Sequence, residues 1–184
     1  MKILLFISSL LLLIACSAPE PTEKSDNLWS YTASHHQAVL DQAIKPMING
    51  YNNLLQGFYN QDTIVINAHV NALLSLADSL IAHIDVQDST QQKRVSTLQS
   101  IQSELEAMGL EQTIEGKQKS LSMLSVLLLN YLGDIGFQQN TIYIFNNAAN
   151  EEQTWFGFAK TARSPYTPLD KAQVTANQIL QEQP

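Results

Sequence analysis

The feature that most restricts the fold is a helical periodicity that extends from about residue 34 to residue 135. Apolar residues recur there every three or four positions, which is the spacing of one face of an amphipathic helix. The predicted core-facing residues are Val39, Ala43, Met47, Leu54 and Phe58 in a first helix, Ile66, Val70, Leu73, Ala77, Leu80 and Ile84 in a second, and Val95, Leu98, Ile101, Leu105 and Met108 in a third. Short connections favour antiparallel neighbours, so the sequence predicts an up-and-down four-helix bundle.

Local signals place the boundaries of the first helices. The first is expected from about Ser34 to Tyr59, with Pro46 inside it. Proline lacks the backbone N–H, so it should kink this helix or divide it. Asp62 is expected to cap the N-terminus of the second helix, because its carboxylate can accept the free N–H groups of the first turn.

The fourth helix, about Leu110 to Ile135, contains the densest apolar run, Met123 to Leu132. A run of ten residues is too short to cross a bilayer, so we expect the most buried helix of the domain. Gly109, just before it, is expected to end the third helix.

Beyond Gly136 the residue types change from helix formers to strand formers. Residues 141–145 and 154–156 are rich in β-branched and aromatic side chains, and a polar segment separates them. This pattern predicts a small C-terminal β-hairpin, which must pack on the bundle because an isolated hairpin is marginally stable. Leu169 to Gln181 is expected to form a short final helix, with Val174 and Leu180 facing inward. Residues 34–184 are thus predicted to be a single, mainly α domain.

The N-terminus has the organisation of a lipoprotein signal peptide. A basic start, Met1-Lys2, precedes an apolar run from Ile3 to Ile14 that is too short to span a membrane. Leu13-Ile14-Ala15-Cys16 matches a lipobox, in which the signal is cut before the cysteine and the thiol receives a diacylglyceryl group. Residues 1–15 are therefore predicted to be removed, and Cys16 to be the lipid attachment site that anchors the chain to a membrane.

Residues 16–33 are expected to be a flexible, lipidated tether, since Ser17 to Asp26 contains two prolines and almost no apolar side chains. The predicted location is the bacterial envelope, with Ser17 after the cysteine favouring the outer membrane, facing the periplasm. Cleavage removes one basic residue, Lys2, so the net charge changes from −7 to −8 (−7 minus 1). Such an acidic surface argues against nucleic acid as a partner. The protein or small-ligand partner cannot be read from the sequence.

No residue pattern points to a catalytic, cofactor or metal site. His35 and His36 are adjacent, and His69 and His83 are too far apart on one helix to share an ion. The chain has no Gly-x-Ser-x-Gly motif, no glycine-rich phosphate loop and no cysteine besides Cys16. We therefore expect a protein that is not an enzyme.

The predicted hairpin carries a group of polar and aromatic residues that allows two interpretations. The group comprises Asn146, Asn147 and Asn150 together with Tyr143, Trp155 and Tyr166. These side chains could form a recognition surface, but turn formation and packing of the hairpin account for the same residue types.

Taken together, these features resemble the domain of unknown function 3347 family, helical-bundle envelope proteins of Gram-negative bacteria. The matching residues are Ile44, Pro46, Tyr51, Leu54, Asp62, Gln118, Leu121, Ser125, Tyr143, Trp155 and the Ser164-Pro165-Tyr166 turn. Members of this family often occur as lipoproteins or joined to adaptors of heavy-metal efflux pumps, so the resemblance implies a role in copper or silver handling.

The chain departs from the family where the soft metal ligands are expected. A Cys-Pro-Met stretch commonly follows the tyrosine strand, but residues 146–149 stand there in this sequence. A Met and a Cys commonly follow the Pro-Tyr turn, where this chain has Lys171 and Val174. Thiolate and thioether groups are the ligands that select Cu(I), and none of them is present at these positions.

Two functions therefore remain open. The first is a non-enzymatic envelope lipoprotein that acts as a binding or interaction module, as an accessory to a transport or metal-stress system. The alternative is a periplasmic metal-binding protein linked to heavy-metal efflux, with histidines and carboxylates as its ligands.

Overall fold

Four long helices form most of the fold. The computed structural model describes residues 29–31, 38–84, 89–147, 150–167 and 172–182. The helices are α1 (Ala38–Tyr59), α2 (Thr63–Ala82), α3 (Ser89–Leu110) and α4 (Ile114–Asp134). Each packs on the helix that follows it in the chain, α1 on α2, α2 on α3 and α3 on α4. The predicted mainly α architecture with a helical bundle is confirmed.

The buried stripes of α2 and α3 agree with the predicted ones, except that Leu80, Ile84 and Val95 are only half-buried, and α1 differs at one position. Ile66, Val70, Leu73 and Ala77 of α2 and Leu98, Ile101, Leu105 and Met108 of α3 are at most 1% exposed. In α1, Ala43 is exposed, whereas the neighbouring Ile44 lies in the core with Met47. The prediction for Ala43 was wrong because adjacent apolar residues both fit a helical repeat, and the larger side chain gains more from burial.

Three of the expected helix signals can be compared with the observed helix bounds. The Asp62 carboxylate accepts hydrogen bonds of 3.0 Å from the N–H groups of Ile64 and Val65, which confirms the predicted cap. Pro46 does not divide α1, since it lies on the exposed side of one continuous helix, where water can reach the unpaired carbonyl. Gly109 does not end α3, which continues to Leu110.

The described strands form two small sheets, and all of them except β1 come from the C-terminal part of the chain. Strands β1 (Trp29–Tyr31), β2 (Ile142–Asn147), β3 (Asn150–Gly157), β4 (Thr161–Arg163), β5 (Gln173–Thr175) and β6 (Gln178–Glu182) follow in chain order. The larger sheet has the order β1-β6-β2-β3, and β4 pairs with β5. The predicted hairpin, β2–β3, is confirmed, and its strands extend into the segment that was expected to be a loop.

The predicted final helix over residues 169–181 is wrong. The described part of this segment contributes β5 and β6, and Leu180 pairs with Ile142 of the hairpin. Helical propensity is a weak preference that a sheet edge overrides when it offers unpaired backbone groups and an apolar face. Residues 29–31 of the predicted tether also join this sheet, as β1, which runs parallel to β6.

Strand β3 holds the sheet against the bundle. It packs along α4, and the ring of Phe156 stacks on Tyr51 of α1 with centroids 4.3 Å apart and an interplanar angle of 5°. The sheet therefore covers α4 and the neighbouring side of α1.

Candidate interaction surface

The polar and aromatic group of the hairpin is used for internal pairing. Trp155 is fully buried between Phe145, whose ring lies 5.3 Å away, and Tyr166, which meets it edge-on at 5.7 Å. Asn146 donates a hydrogen bond to the Thr154 hydroxyl across the two strands. For Trp155, Tyr166 and Asn146 the geometry fits the interpretation as packing and pairing groups rather than as a recognition surface.

Side chains saturate the outer edge of β3, where a further strand could otherwise pair. The N–H of Thr154 donates to Ser122 Oγ of α4 at 3.0 Å, and that hydroxyl in turn donates to the carbonyl of Glu152. Tyr166 Oη donates to the Thr154 carbonyl at 2.8 Å. Edge strands are common sites of unwanted pairing, and here three consecutive edge groups already have partners.

A second contact at this edge comes from α1. The Phe156 N–H lies 3.4 Å from Tyr51 Oη, which shares a 2.7 Å hydrogen bond with Ser125 Oγ of α4. Ser125 Oγ also contacts the Leu121 carbonyl at 2.7 Å. Burial raises the pKa of the Tyr51 hydroxyl well above its usual value, although its hydrogen bond with Ser125 acts in the opposite direction. Tyr51 and Ser125, two residues that carry the family resemblance, thus have a structural role in joining α1, α4 and β3.

We expect Ser122→Ala to destabilise the domain by about 1–3 kcal/mol, because it removes the partner of the buried Thr154 N–H. Ser103→Ala on α3 is a matched control, since Ser103 Oγ bonds only the Gln99 carbonyl of its own helix. Urea unfolding would measure both. Equal midpoints for the two variants would contradict a stabilising role for Ser122 at the strand edge.

The described histidines do not form a metal site together. His69 is half-buried, whereas His83 is exposed and its Nδ1 donates to the Ser79 carbonyl at 2.6 Å. His35 and His36 lie outside the described residues, as does Cys16, so the lipid attachment stays a prediction. Among the residues that the structure describes, no three His, Cys, Asp or Glu side chains are grouped as metal ligands would be.

The methionines differ in their surroundings. Met47 and Met108 are fully buried in the bundle. Met123 was expected to face the core as well, but 52% of it is exposed. This expectation was wrong because a helix that is apolar on nearly every side does not reveal from sequence which side faces outward.

We predict that the mature domain does not bind Cu(I) tightly. Once Cys16 is lipidated the chain has no thiolate, and of the three methionines that remain only Met123 is accessible. A single thioether is a poor Cu(I) site, and histidines suit Cu(II) or Zn²⁺ better. The measurement is a competition titration against a Cu(I) chelator under reducing conditions. Stoichiometric capture at sub-nanomolar free copper would overturn this prediction.

Basic side chains from neighbouring elements bind the carbonyl groups at the ends of three helices. No helix has a basic residue in its own last turn. Instead, Lys117 Nζ of α4 donates to the Met108 carbonyl of α3 at 2.8 Å, and to Asn67 Oδ1 at the same distance. Lys117 is 1% exposed, and this burial lowers the pKa of its ammonium group, opposed by the nearby charge of Glu111.

The ends of α4 and α1 have equivalent partners. Arg94 of α3, which is 2% exposed, donates through Nη2 to the Asp134 carbonyl at 3.2 Å. Arg163 of β4 donates to the Tyr59 carbonyl at 3.2 Å, and its guanidinium lies 5.1 Å from the centre of the Tyr59 ring. Cations near the carbonyl end of a helix are stabilising, so the buried Lys117 and Arg94 and the half-buried Arg163 have a structural role.

The outer face of α2 has the character of a contact surface. Its exposed residues form a line of mostly small, uncharged side chains along the helix: Ile64, Ala68, Asn71, Ala72, Ser75, Ser79 and Ala82. Ile64 is 80% exposed, and Asp78, the one charged residue of the helix, accepts a hydrogen bond from Gln102 of α3. Among the described residues α2 alone is long and apolar enough to meet the criteria for a membrane-spanning helix, although one side of it is core.

Comparisons with known proteins found no relative whose function could be transferred to this chain. No protein-family model, no curated protein and no solved structure matches this chain. The resemblance to the domain of unknown function 3347 family therefore stays a prediction, based on the residues given above.

Proposed function

We propose that the chain is a non-enzymatic lipoprotein of the bacterial envelope that acts as an interaction module, with the outer face of α2 as its binding surface. The observation that carries the proposal is the near absence of charge on this face. The whole chain has 17 acidic and 10 basic residues, yet this exposed helix carries one carboxylate, and that group is hydrogen-bonded to Gln102. An exposed helix face of small, uncharged side chains favours a protein partner whose contacting surface is also uncharged.

Site-specific photo-crosslinking in cells tests this surface. A photoreactive residue at position 75, on the outer face of α2, should give a defined adduct, whereas the same residue at position 100, on the exposed side of α3, should not. The substitution Ala72→Glu, one turn from position 75, should abolish the adduct because it places an unpaired charge in the interface. Identical adducts from both positions, or none from either, would reject α2 as the binding surface.

The membrane anchor is tested separately. Labelled palmitate supplied to expressing cells should enter the protein, and Cys16→Ala should eliminate the label completely, because Cys16 is the only cysteine of the chain. Continued labelling of the variant would show that the lipoprotein assignment is wrong.

A further inference from the structure

Strand β1 is one of the two edge strands of the larger sheet, and it differs from the other strands in two ways. It has only three residues, and it makes the only parallel pairing among the described strands. Strands average five to six residues, and parallel pairing is slightly less stable per residue than antiparallel pairing. The pairing of β1 with β6 should therefore be the weakest pairing in this sheet.

Strand β1 precedes the bundle in the chain and, besides pairing with β6, it contacts α4. Six residues, 32–37, separate it from α1, and it is preceded by the segment that carries the predicted lipid anchor. The neighbouring strand β6 is held independently on its other side, where Ile142, Tyr143 and Ile144 pair with residues 178–180. If β1 detaches, β6 stays in the sheet and presents an unpaired edge.

We propose that the edge of β6 is a strand-acceptor site, and that Trp29–Tyr31 of a second copy of this chain occupies it in exchange for the chain's own β1. The structure already shows one sequence that fits this edge, in the register Trp29–Leu180, Ser30–Gln181 and Tyr31–Glu182. A second copy offers the identical segment, and the exchange replaces each pairing with an equivalent one. Exchange of an identical element between protomers is a low-cost route to a dimer. Anchoring on one membrane would raise the effective concentration of the two copies.

The edge of β3, at the other side of the sheet, does not offer this possibility. Its outward N–H and carbonyl groups are bonded to Ser122, Tyr51 and Tyr166. Among the described strands of this sheet, β6 is therefore the strand whose edge is covered only by a short, separable segment. This asymmetry directs strand exchange to one edge.

Cysteine pairs placed in register test the exchange in the full mature chain, with Cys16→Ser removing the native thiol. The double variant Ser30→Cys/Gln181→Cys should form an intramolecular disulfide, because residues paired on adjacent strands lie within the distance that a disulfide requires. When the two single variants are mixed, disulfide-linked dimers should accumulate at least about tenfold over a mixture of Ser30→Cys and Gln178→Cys, which is three residues out of register.

Each outcome decides the proposal. Register-specific dimers in the mixture support exchange, and Tyr31→Pro added to the copy that carries Ser30→Cys should suppress them, because proline removes a backbone donor and fixes φ. An intramolecular disulfide without dimers in the mixture would overturn the exchange and leave β1 a fixed strand. Failure of the double variant to close would contradict the pairing itself. These results are independent of photo-crosslinking at α2, so failure of either proposal leaves the other intact.

Discussion

Raising the pH from 10 to 12 should unfold the domain, because ionising a buried or half-buried tyrosine costs more free energy in the folded domain than in the unfolded chain. Burial raises the pKa of the Tyr59 hydroxyl to about 12, although the charge of Arg163 acts to lower it. Burial also raises the pKa of Tyr131 to about 12, with Arg94 opposing and Asp134 adding to the shift. The pKa values of Tyr51 and Tyr166 are raised by burial as well.

The direction of this effect follows from proton linkage. In the unfolded chain these phenols lose their protons near pH 10, whereas in the folded domain Tyr59 and Tyr131 keep theirs to about pH 12. The stability that they contribute is present below pH 10 and is lost as the pH rises through 12. At about 1.4 kcal/mol per unit of pKa shift, each of these two tyrosines contributes about 2–3 kcal/mol less stability at pH 12 than at pH 10. Two such losses match the stability of a marginal domain, about 5 kcal/mol.

Lys117 acts with the opposite sign but over a lower pH range. Because burial lowers the pKa of its ammonium group, the unfolded chain binds more protons than the folded domain between that lowered pKa and the ordinary lysine pKa of 10.5. Stability therefore rises with pH across this interval and no further. Above it the raised pKa values of the tyrosines lower the stability.

Circular dichroism and tyrosinate absorbance, recorded together against pH, would check the alkaline transition. Both signals should change in one cooperative step. Tyr131→Phe should move the midpoint to higher pH, because it removes one ionisable group while keeping the ring in the core. Ionisation of all tyrosines near pH 10 with an unchanged helical spectrum would show that these rings are not buried.

Leu128→Ala should destabilise the domain by about 2–5 kcal/mol, through loss of buried surface and creation of a cavity. Leu128 lies in the middle of α4 and is 1% exposed. Surrounding side chains in a tightly packed interior relax only partly, so the vacated volume is not refilled. The spectrum of the variant should still be mainly helical with a small strand contribution, because one cavity does not change the fold.

Met123→Ala is the matched control for this substitution. It lies on the same helix, five residues earlier, and is 52% exposed, so its truncation should cost less than about 1 kcal/mol. Denaturant unfolding of both variants gives the comparison. Equal losses would place Met123 in the core and would contradict the orientation of α4.

The parts of the fold that sequence predicts are those that depend on local periodicity. The core-facing stripes of α2 and α3 were predicted because several apolar residues in each fall on one face of a 3.6-residue repeat. The cap at Asp62 was predicted because an N-cap acts within its own turn. The strands in residues 173–182 were not predicted, because they depend on pairing with Ile142–Ile144 and β4, which are distant in the chain.

The candidate surfaces were harder to predict for a related reason. The outer face of α2 is defined by which side α1 and α3 leave uncovered, and this depends on the packing of three helices. The sequence alone would place Lys117 and Arg94 at the surface, since charged side chains are rarely buried. One signal could have revealed them: the absence of any basic residue in the last turn of each helix leaves carbonyl groups that need partners from elsewhere.

The partners of those carbonyl groups determine how the protein can be divided. The end of α3 is completed by α4 through Lys117, the end of α4 by α3 through Arg94, and the end of α1 by β4 through Arg163. A fragment that stops after α2 would lack the group that completes α1, and an excised α3 would fray at Leu110. Truncated versions of this domain should therefore not behave as autonomous folding units. Complementary fragments, α1–α2 and α3–β6, should become ordered only when they are mixed.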